Sequence, residues 1–305
     1  MPKFVSLLSL HAIAILLLVP SRCFSAGKNT STKRILVTGG NKGIGKAICQ
    51  KLLKDHPDVH VLLGSRDPGR GERAIQDITS ALGPNECKGR LQLIQLDTSS
   101  DESVQEAATS LTRDGCTLYG IINNAGVGPG ATLNDALSTN FFGPKRVNDA
   151  FGVLLQRPGG RIVNIASASG PVFVEYCNDA PLREYLTEPL TASGIDELVQ
   201  VAEETKGVRD TYGFSKALLN AYTVLLAKSE PDLIVNSCTP GYIDTDMTRG
   251  AGATNPPSKG AVPPVWLAMS DVLLDRPTGW YYGSDCVRSP LHEYRGPGDP
   301  PYEGP

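Results

Sequence analysis

Residues 35–45 read ILVTGGNKGIG, an apolar triplet that runs directly into a turn with glycines at 39, 43 and 45. Ile35, Leu36 and Val37 favour a strand, and a helical pattern with apolar residues at 44, 47, 48 and 52 follows. Glycines between a strand and a helix permit a tight turn and let backbone amides approach an anion. The stretch predicts a strand–turn–helix unit that binds phosphate; the alternative is a plain glycine-rich turn.

The same alternation of short apolar runs and helical patterns continues along the chain. The runs and helical stretches occur in turn at 59–63, 72–82, 91–96, 101–113, 118–122, about 133–156 and 161–165. Apolar runs of about five residues between helices are typical of parallel strands buried on both faces. We therefore predict a single doubly wound α/β domain of Rossmann type over residues 33–290, with a mostly parallel central sheet and helices on both faces.

Composition and charge exclude several classes of protein. The 305 residues are 40% hydrophobic and 20% charged, which excludes a wholly disordered chain. The net charge of −3 offers no basic surplus for nucleic acid, so none is expected as a partner. The four histidines are dispersed and the seven cysteines form no Cys-x-x-Cys pair, so we expect no metal site. Free buried thiols are the default, although six cysteines beyond the N-terminal leader would also allow disulfides.

The two ends of the chain differ from the rest. Residues 4–20 are almost wholly apolar after a basic start, and small residues follow up to position 26, which is the layout of a secretory signal peptide over residues 1–26. An uncleaved membrane anchor at 4–20 or an organelle import leader remains the alternative. We expect entry into the secretory pathway or an organelle (endoplasmic reticulum, secreted or plastid) rather than the cytoplasm. The Pro/Gly-rich residues 291–305 predict a flexible tail.

The end of the second strand bears on the choice of a dinucleotide. An acid at this point favours a free ribose 2′-hydroxyl, whereas a cation favours a 2′-phosphate. The strand ends at Arg66, whose guanidinium suits a phosphate, and Lys42 in the glycine turn adds a point charge. Asp67 is the only nearby acid. The pattern predicts NADP(H) rather than NAD(H); the alternative is that both cations lie on the solvated surface.

A phenol and an ammonium group lie four positions apart at Tyr212 and Lys216, on one face if the segment is helical. A fixed cation lowers the pKa of a phenol from about 10, so that it can exchange a proton with a carbonyl oxygen. Ser167 follows the strand at 160–166, at the edge of the sheet where ligands bind. Its hydroxyl can bind a substrate oxygen; the alternative is a turn cap.

Five motifs in order resemble the short-chain dehydrogenase/reductase family. They are TGxxxGIG at 38–45, NNAG at 123–126, Ser167, YxxxK at 212–216 and the Pro-Gly turn at 240–241 with a following threonine. The resemblance covers residues 33–285. The stretch TNFFG at 139–143 and the long gap before Tyr212 are most similar to the carbonyl reductase branch.

The resemblance implies a role for each matching residue. Tyr212 would be the general acid/base, and Lys216 would lower its pKa and hold the nicotinamide ribose. Ser167 would orient the carbonyl, and Asn140 would support a proton relay through water. Asp97 would contact adenine, although its position alone indicates a helix N-cap. The expected cofactor-binding set is Gly39, Asn41, Lys42, Gly43, Ile44, Gly45, Arg66, Asp97, Thr98, Asn124, Ala125, Gly126, Tyr212, Lys216, Pro240, Gly241, Ile243 and Thr245.

The chain departs from most members of the family between Ser167 and Tyr212, where an acid-rich insertion occupies residues 175–210. Apolar residues at 195, 198, 199 and 202 predict an amphipathic helix within it. Carbonyl reductases carry a comparable insertion over the surface used for oligomerisation, which implies a monomer. We expect an NADPH-dependent reductase of a small ketone or aldehyde. The alternatives are an oxidative alcohol or steroid-type dehydrogenase and a non-catalytic NADP-binding regulator.

Overall fold

The computed structural model describes residues 32–187, 194–274 and 278–304. The strands are β1 (Lys33–Val37), β2 (Val59–Ser65), β3 (Leu91–Gln95), β4 (Gly120–Asn123), β5 (Gly160–Ile165), β6 (Leu233–Cys238), β7 (Tyr281–Tyr282) and β8 (Arg288–Ser289). The helices are α1 (Gly43–Asp55), α2 (Pro68–Leu82), α3 (Pro84–Cys87), α4 (Asp101–Arg113), α5 (Leu133–Asn140), α6 (Phe142–Phe151), α7 (Ser169–Glu175), α8 (Ala180–Thr187), α9 (Gly194–Glu204), α10 (Thr211–Ser229), α11 (Pro257–Gly260) and α12 (Val262–Met269). Two 3₁₀ turns lie at Gly152–Leu154 and Asp271–Leu273.

All eight strands form one sheet in the order β3-β2-β1-β4-β5-β6-β7-β8. Every neighbouring pair is parallel except β7 and β8, which are antiparallel. The chain reverses its direction of travel across the sheet between β1 and β4, which opens a crevice at the carboxyl ends of these strands. The predicted doubly wound, mostly parallel α/β fold is confirmed.

The sheet separates two apolar cores, because neighbouring side chains along each strand point to opposite faces. On β1, Leu36 packs into the core that includes α4, α6 and α10. Ile35 and Val37 pack into the other core, with α1, α2 and α12. Burial on both faces explains why the strands are uninterrupted apolar runs in the sequence.

The long helix predicted for residues 133–156 is wrong in one respect, because the structure breaks it into α5, α6 and a 3₁₀ turn. The break falls at Phe141, between the two helices. Pro144 has no N–H, so the bond that a continuous helix would make to the carbonyl oxygen of Asn140 is absent. The sequence contained this signal in the Gly143-Pro144 pair, and the apolar periodicity masked it.

The insertion covers α10 with α8 and α9. Leu186 on α8 and Leu198 and Ala202 on α9 are buried in the same core as α10. The predicted amphipathic helix is confirmed, since α9 spans Gly194–Glu204. Residues 188–193 of the insertion lie outside the described residues.

The chain ends fall differently in the structure. The predicted leader, residues 1–26, lies outside the described residues. In the Pro/Gly-rich segment, by contrast, Arg295 pairs with Asp285 at 2.7 Å. The flexibility of the segment stays a prediction. The six cysteines within the described ranges are all free thiols. None of the helices in those ranges is both long and apolar enough to cross a bilayer.

Candidate active site

The glycine turn between β1 and α1 has a backbone that only glycine fits. Gly39 and Gly43 have positive φ angles of 64° and 53°, which side chains other than glycine rarely adopt. A Cβ on Gly45 would lie 2.2 Å from the carbonyl oxygen of Gly39. Helix α1 starts here without a side-chain cap from Lys42 and without an acid in its first turn. An uncapped helix start behind a glycine turn fits the pyrophosphate of a dinucleotide.

The end of β4 is tied to the same turn. The Thr38 hydroxyl accepts hydrogen bonds at 3.0 Å from the backbone N–H groups of Asn124 and Ala125. The Asn124 side-chain amide donates to the carbonyl oxygens of Thr38 (2.9 Å) and Gly39 (3.2 Å). Asn124 therefore holds the turn in shape, and its predicted contact with a ribose stays a prediction.

The two cations expected at the 2′-phosphate differ in their surroundings. Lys42 is engaged by Asp246 at 3.0 Å in an exposed ion pair. Arg66 is exposed and makes no hydrogen bond or ion pair with any residue that the structure describes. Asp67, the nearby acid, caps α2 by accepting from the backbone N–H of Arg70 at 2.9 Å. The Asp67 carboxylate is thus occupied in capping α2, whereas the Arg66 guanidinium faces solvent.

Asp97 and Thr98 lie just beyond β3. The interpretation of Asp97 as an N-cap is wrong, because Ser100 caps α4 and Asp97 instead accepts bonds from the backbone and hydroxyl of Ser99. Burial acts to raise the pKa of Asp97, but the Ser99 hydrogen bonds and the charges of Arg66 and Arg146 outweigh it, so the net shift is downward. The carboxylate stays ionised beside Arg66, and its contact with adenine stays a prediction.

The predicted catalytic side chains come together above the crevice. Ser167 follows β5, Tyr212 is the second residue of α10, and Lys216 lies one turn further on. The Lys216 Nζ atom lies 5.8 Å from the centre of the Tyr212 ring and donates to the carbonyl oxygen of Ile165 at 2.8 Å. The Tyr212 phenol is hydrogen-bonded with Ser167. Asp210 fixes the start of the helix by accepting from the N–H of Gly213 at 2.8 Å.

Burial dominates the pKa of Tyr212 in the protein alone. Burial raises the pKa of the Tyr212 phenol; the bond with Ser167 lowers it, and the charge of Asp210 raises it further. Burial also lowers the pKa of Lys216 to about 8, because a buried ammonium has lost its hydration. Desolvation is therefore the largest influence on both groups, and the lowering of the Tyr212 pKa by Lys216 stays a prediction.

Asn140 is the last residue of α5, and its side chain is fully engaged. Its amide donates to the Val127 carbonyl and the Ser215 hydroxyl, each at 3.0 Å, and its oxygen accepts from Val127 N–H at 2.9 Å. Gly126 has to be small here, since a Cβ would lie 3.0 Å from the Asn140 oxygen and 3.7 Å from Lys216 Nζ. Asn140 thus positions the loop after β4 against α10. The place of Asn140 in a proton relay stays a prediction. Such a relay would use the backbone carbonyl oxygen of Asn140, which receives no helical hydrogen bond because Pro144 has no N–H.

The loop after β6 lies over the glycine turn. Pro240 is followed by Gly241, whose φ of 87° requires glycine. Ile243 is buried, and Thr245 lies against Gly43, where a Cβ would be 3.4 Å from its methyl group. The structure therefore gathers at one edge of the sheet all the residues predicted for the site, which are Gly39, Asn41, Lys42, Gly43, Ile44, Gly45, Arg66, Asp97, Thr98, Asn124, Ala125, Gly126, Asn140, Ser167, Tyr212, Lys216, Pro240, Gly241, Ile243 and Thr245.

Sequence reasoning missed a chain of buried amides beneath the catalytic group. The Asn123 amide donates to Asn148 (3.0 Å) and Asn164 (2.9 Å). The Asn164 amide donates to Thr223 at 2.9 Å, and the Asn148 amide to the Tyr222 hydroxyl at 3.3 Å. These bonds link β4, β5 and α6 to α10. The available signal was the presence of asparagine inside otherwise apolar strands, where a polar group needs a partner.

Comparison with known proteins agrees with this geometry. The short chain dehydrogenase family matches residues 33–178. The chain is 30% identical to (+)-neomenthol dehydrogenase of Capsicum annuum, over 84% of this chain and 97% of the relative. It is 31% identical to carbonyl reductase [NADPH] 3 of Mus musculus, over 80% and 93%. The solved structure of salutaridine reductase from Papaver somniferum superposes with a TM-score of 0.70 at 26% identity, covering 82% of this chain and 99% of that one.

Proposed function

The chain belongs to the short-chain dehydrogenase/reductase family, and on that basis we propose that it is an NADPH-dependent carbonyl reductase of ketones or aldehydes. Its membership makes it an oxidoreductase that acts on CH–OH and C=O groups. The observation that carries the finer assignment is the convergence of Ser167, Tyr212 and Lys216 beside the crevice behind the glycine turn.

Tyr212 carries the proton that a reduction requires. A bound nicotinamide cofactor supplies the hydride that adds to the carbonyl carbon. The carbonyl oxygen then needs a proton, and Tyr212, kept protonated by burial, is the general acid that donates it. Ser167, bonded to the phenol, orients the oxygen beside it. Lys216, buried next to the phenol, holds the ribose of the cofactor.

The preference for NADPH rests on charge at the end of β2. Arg66 is exposed there, and the competing acid Asp67 is committed to capping α2. An unpaired guanidinium suits the 2′-phosphate, with Lys42 as a second cation once it leaves Asp246. The relative from Mus musculus carries NADPH in its name.

A second candidate is oxidation of an alcohol by the same residues, since Tyr212 can also accept a proton. The relative named neomenthol dehydrogenase favours it. A non-catalytic NADP-binding regulator is disfavoured, because such a protein would not need the arrangement of Ser167, Tyr212 and Lys216.

We also propose that the protein is a monomer that enters the secretory pathway or an organelle. The burial of Leu186, Leu198 and Ala202 against the core around α10 supports the first point, and light scattering of the purified protein would measure it. The composition of residues 1–26 supports the second, and N-terminal sequencing of the mature protein would measure it.

The reaction is tested by following NADPH and NADH consumption at pH 7 with a panel of aldehydes, cyclic ketones and linear ketones. We expect turnover with at least one carbonyl compound and faster turnover with NADPH. Alcohol panels with NADP⁺ run in parallel test the oxidative alternative. Tight NADPH binding without turnover on either panel would contradict the proposal and support the regulator.

A further inference from the structure

The last part of the described chain, residues 283–302, forms a segment that we call the C-terminal strap. It begins where β7 ends, and Tyr282 at that end is paired with Cys238, the last residue of β6. Since β6 and β7 are parallel, the strap leaves the sheet at the same carboxyl edge as the catalytic residues. It returns through β8, which is antiparallel to β7.

A single arginine fixes the course of the strap. The guanidinium of Arg295 has five N–H donors, and all five have acceptors. It donates to both carboxylate oxygens of Asp285 (3.1 and 2.7 Å), to the Ser289 hydroxyl (3.4 Å), and to the carbonyl oxygens of Asp299 (2.6 Å) and Pro300 (2.9 Å). We call this group the Arg295 clasp.

The clasp differs from an ordinary surface ion pair. The Arg295 side chain is 5% exposed, and Asp285 also accepts from the backbone N–H groups of Val287 (3.3 Å) and Gly298 (3.1 Å). By comparison, Arg157 and Glu230 pair at 2.7 Å with 36% of each side chain exposed. Bidentate pairs shielded from water have fixed geometry, whereas exposed pairs contribute little. The clasp therefore determines where the residue before it, Tyr294, lies.

Tyr294 is tied to the end of α7, the helix that follows Ser167. Its backbone N–H meets the carboxylate of Glu175 at 3.4 Å, at the end of α7, the helix that begins two residues after Ser167. Tyr212 and Tyr294 are both close enough to the buried Tyr281 for their phenols to act on its charge. The strap thus runs from the end of β7 to the end of α7.

Two aromatic rings beside this edge are open to solvent. Tyr294 is 49% exposed and Tyr176, next to Glu175, is 74% exposed. Large exposed apolar side chains near a catalytic group are typical of a surface that binds a ligand. The adjacent Glu175 carboxylate disfavours an anionic ligand there. Aromatic faces with a carboxylate nearby fit an uncharged or cationic ligand that carries rings.

We propose that Tyr294, positioned by the Arg295 clasp, is a specificity-determining residue that packs, together with Tyr176, against the ring portion of an uncharged, ring-bearing carbonyl substrate. This inference rests on the proposed reductase function and deepens it. The carbonyl end would meet Ser167 and Tyr212, whereas the far end of the molecule would meet the strap. A short aldehyde would not reach Tyr294.

The test compares a ring-bearing ketone, 4-tert-butylcyclohexanone, with a three-carbon aldehyde, propanal. Tyr294→Ala removes the ring and leaves the clasp intact, and Arg295→Ala releases the strap. We expect Tyr294→Ala to raise KM for the ring ketone about tenfold, with KM for propanal and the Kd for NADPH unchanged. Arg295→Ala should shift KM in the same direction and expose residues 291–304 to protease, and Arg295→Lys should partly restore both. Arg157→Ala is the matched control and should change neither.

Each outcome decides the proposal. An unchanged KM for the ring ketone in Tyr294→Ala, or an equal rise for both substrates, would overturn it, and this variant suffices if Arg295→Ala does not fold. If the wild-type protein turns over neither these two compounds nor any other carbonyl compound of the panel, the reductase proposal fails separately. Calorimetric binding of the ring ketone to wild-type protein and Tyr294→Ala then decides the inference: weaker binding to the variant supports it, and equal binding or none overturns it.

Discussion

The glycine turn between β1 and α1 and the catalytic group around α10 lie at the same edge of the sheet, yet they depend on different contacts. The turn depends on its backbone conformation, since Gly39 and Gly43 have positive φ and Gly45 has no room for a Cβ. The catalytic group depends on side chains from distant parts of the chain, and burial decides its electrostatics. A steric requirement can be recognised in a short motif, whereas a balance of desolvation and charge depends on the assembled fold.

A substitution at Gly45 tests the steric part of this comparison. A methyl group there would meet the Gly39 carbonyl, so Gly45→Ala should lower the free energy of unfolding by about 1–3 kcal/mol and remove most NADPH binding. Thermal unfolding and fluorescence titration measure the two effects. Gly152→Ala is the matched control, because a Cβ there has no neighbour within 4 Å. Equal behaviour of the two variants would contradict a steric role for Gly45.

Reversal of the charge of Arg66, at the end of β2, should have a smaller effect on NADPH binding than Gly45→Ala. Arg66→Asp places a carboxylate where we expect the 2′-phosphate, so the Kd for NADPH should rise about tenfold while that for NADH falls or stays constant. Titration with both cofactors measures the ratio. Arg73→Asp, at an exposed position on α2, is the control for charge reversal on the same surface. An equal loss for both cofactors would contradict the assignment of NADPH.

The pH dependence of NADPH binding tests the electrostatic part of the comparison, the charge of Lys216. With a pKa of about 8, Lys216 is an ammonium below pH 8 and a neutral amine above it. If the ammonium holds the ribose, the Kd for NADPH should rise about two- to fivefold between pH 7 and pH 9. Titrations across this range measure it, with Lys216→Met as a control that should show no such rise. A constant Kd in the wild-type protein would contradict the role of the charge.

The fold and the placement of the candidate residues at one edge of the sheet could be predicted from sequence, since strand–turn–helix patterns and the glycine turn are local. Asn140 and Asp97 show the limit. Nothing near Asn140 indicates that its amide joins Val127 to Ser215, and Asp97 resembled an N-cap until Ser100 was seen to cap α4. These partners depend on how α4, α5 and α10 pack.

The same limit applies to the pKa of Tyr212, whose net shift is upward because the phenol is buried. The spacing to Lys216 indicated their proximity correctly, but it carried no information on burial, which dominates both groups. The course of residues 291–304 was likewise hidden, because Arg295 and Asp285 are ten positions apart in a Pro/Gly-rich segment. Composition reports the turns in such a segment and not the ion pair that holds them.

The most direct test of the account is the kcat of Tyr212→Phe with NADPH and a reducible carbonyl compound, measured together with the Kd for NADPH. Phenylalanine keeps the buried ring and removes only the proton donor. We predict that kcat falls by about 10²–10⁴-fold while the Kd stays within about twofold, since in our proposal Lys216 holds the ribose. Turnover close to that of the wild-type protein would contradict the account, because another group would then supply the proton.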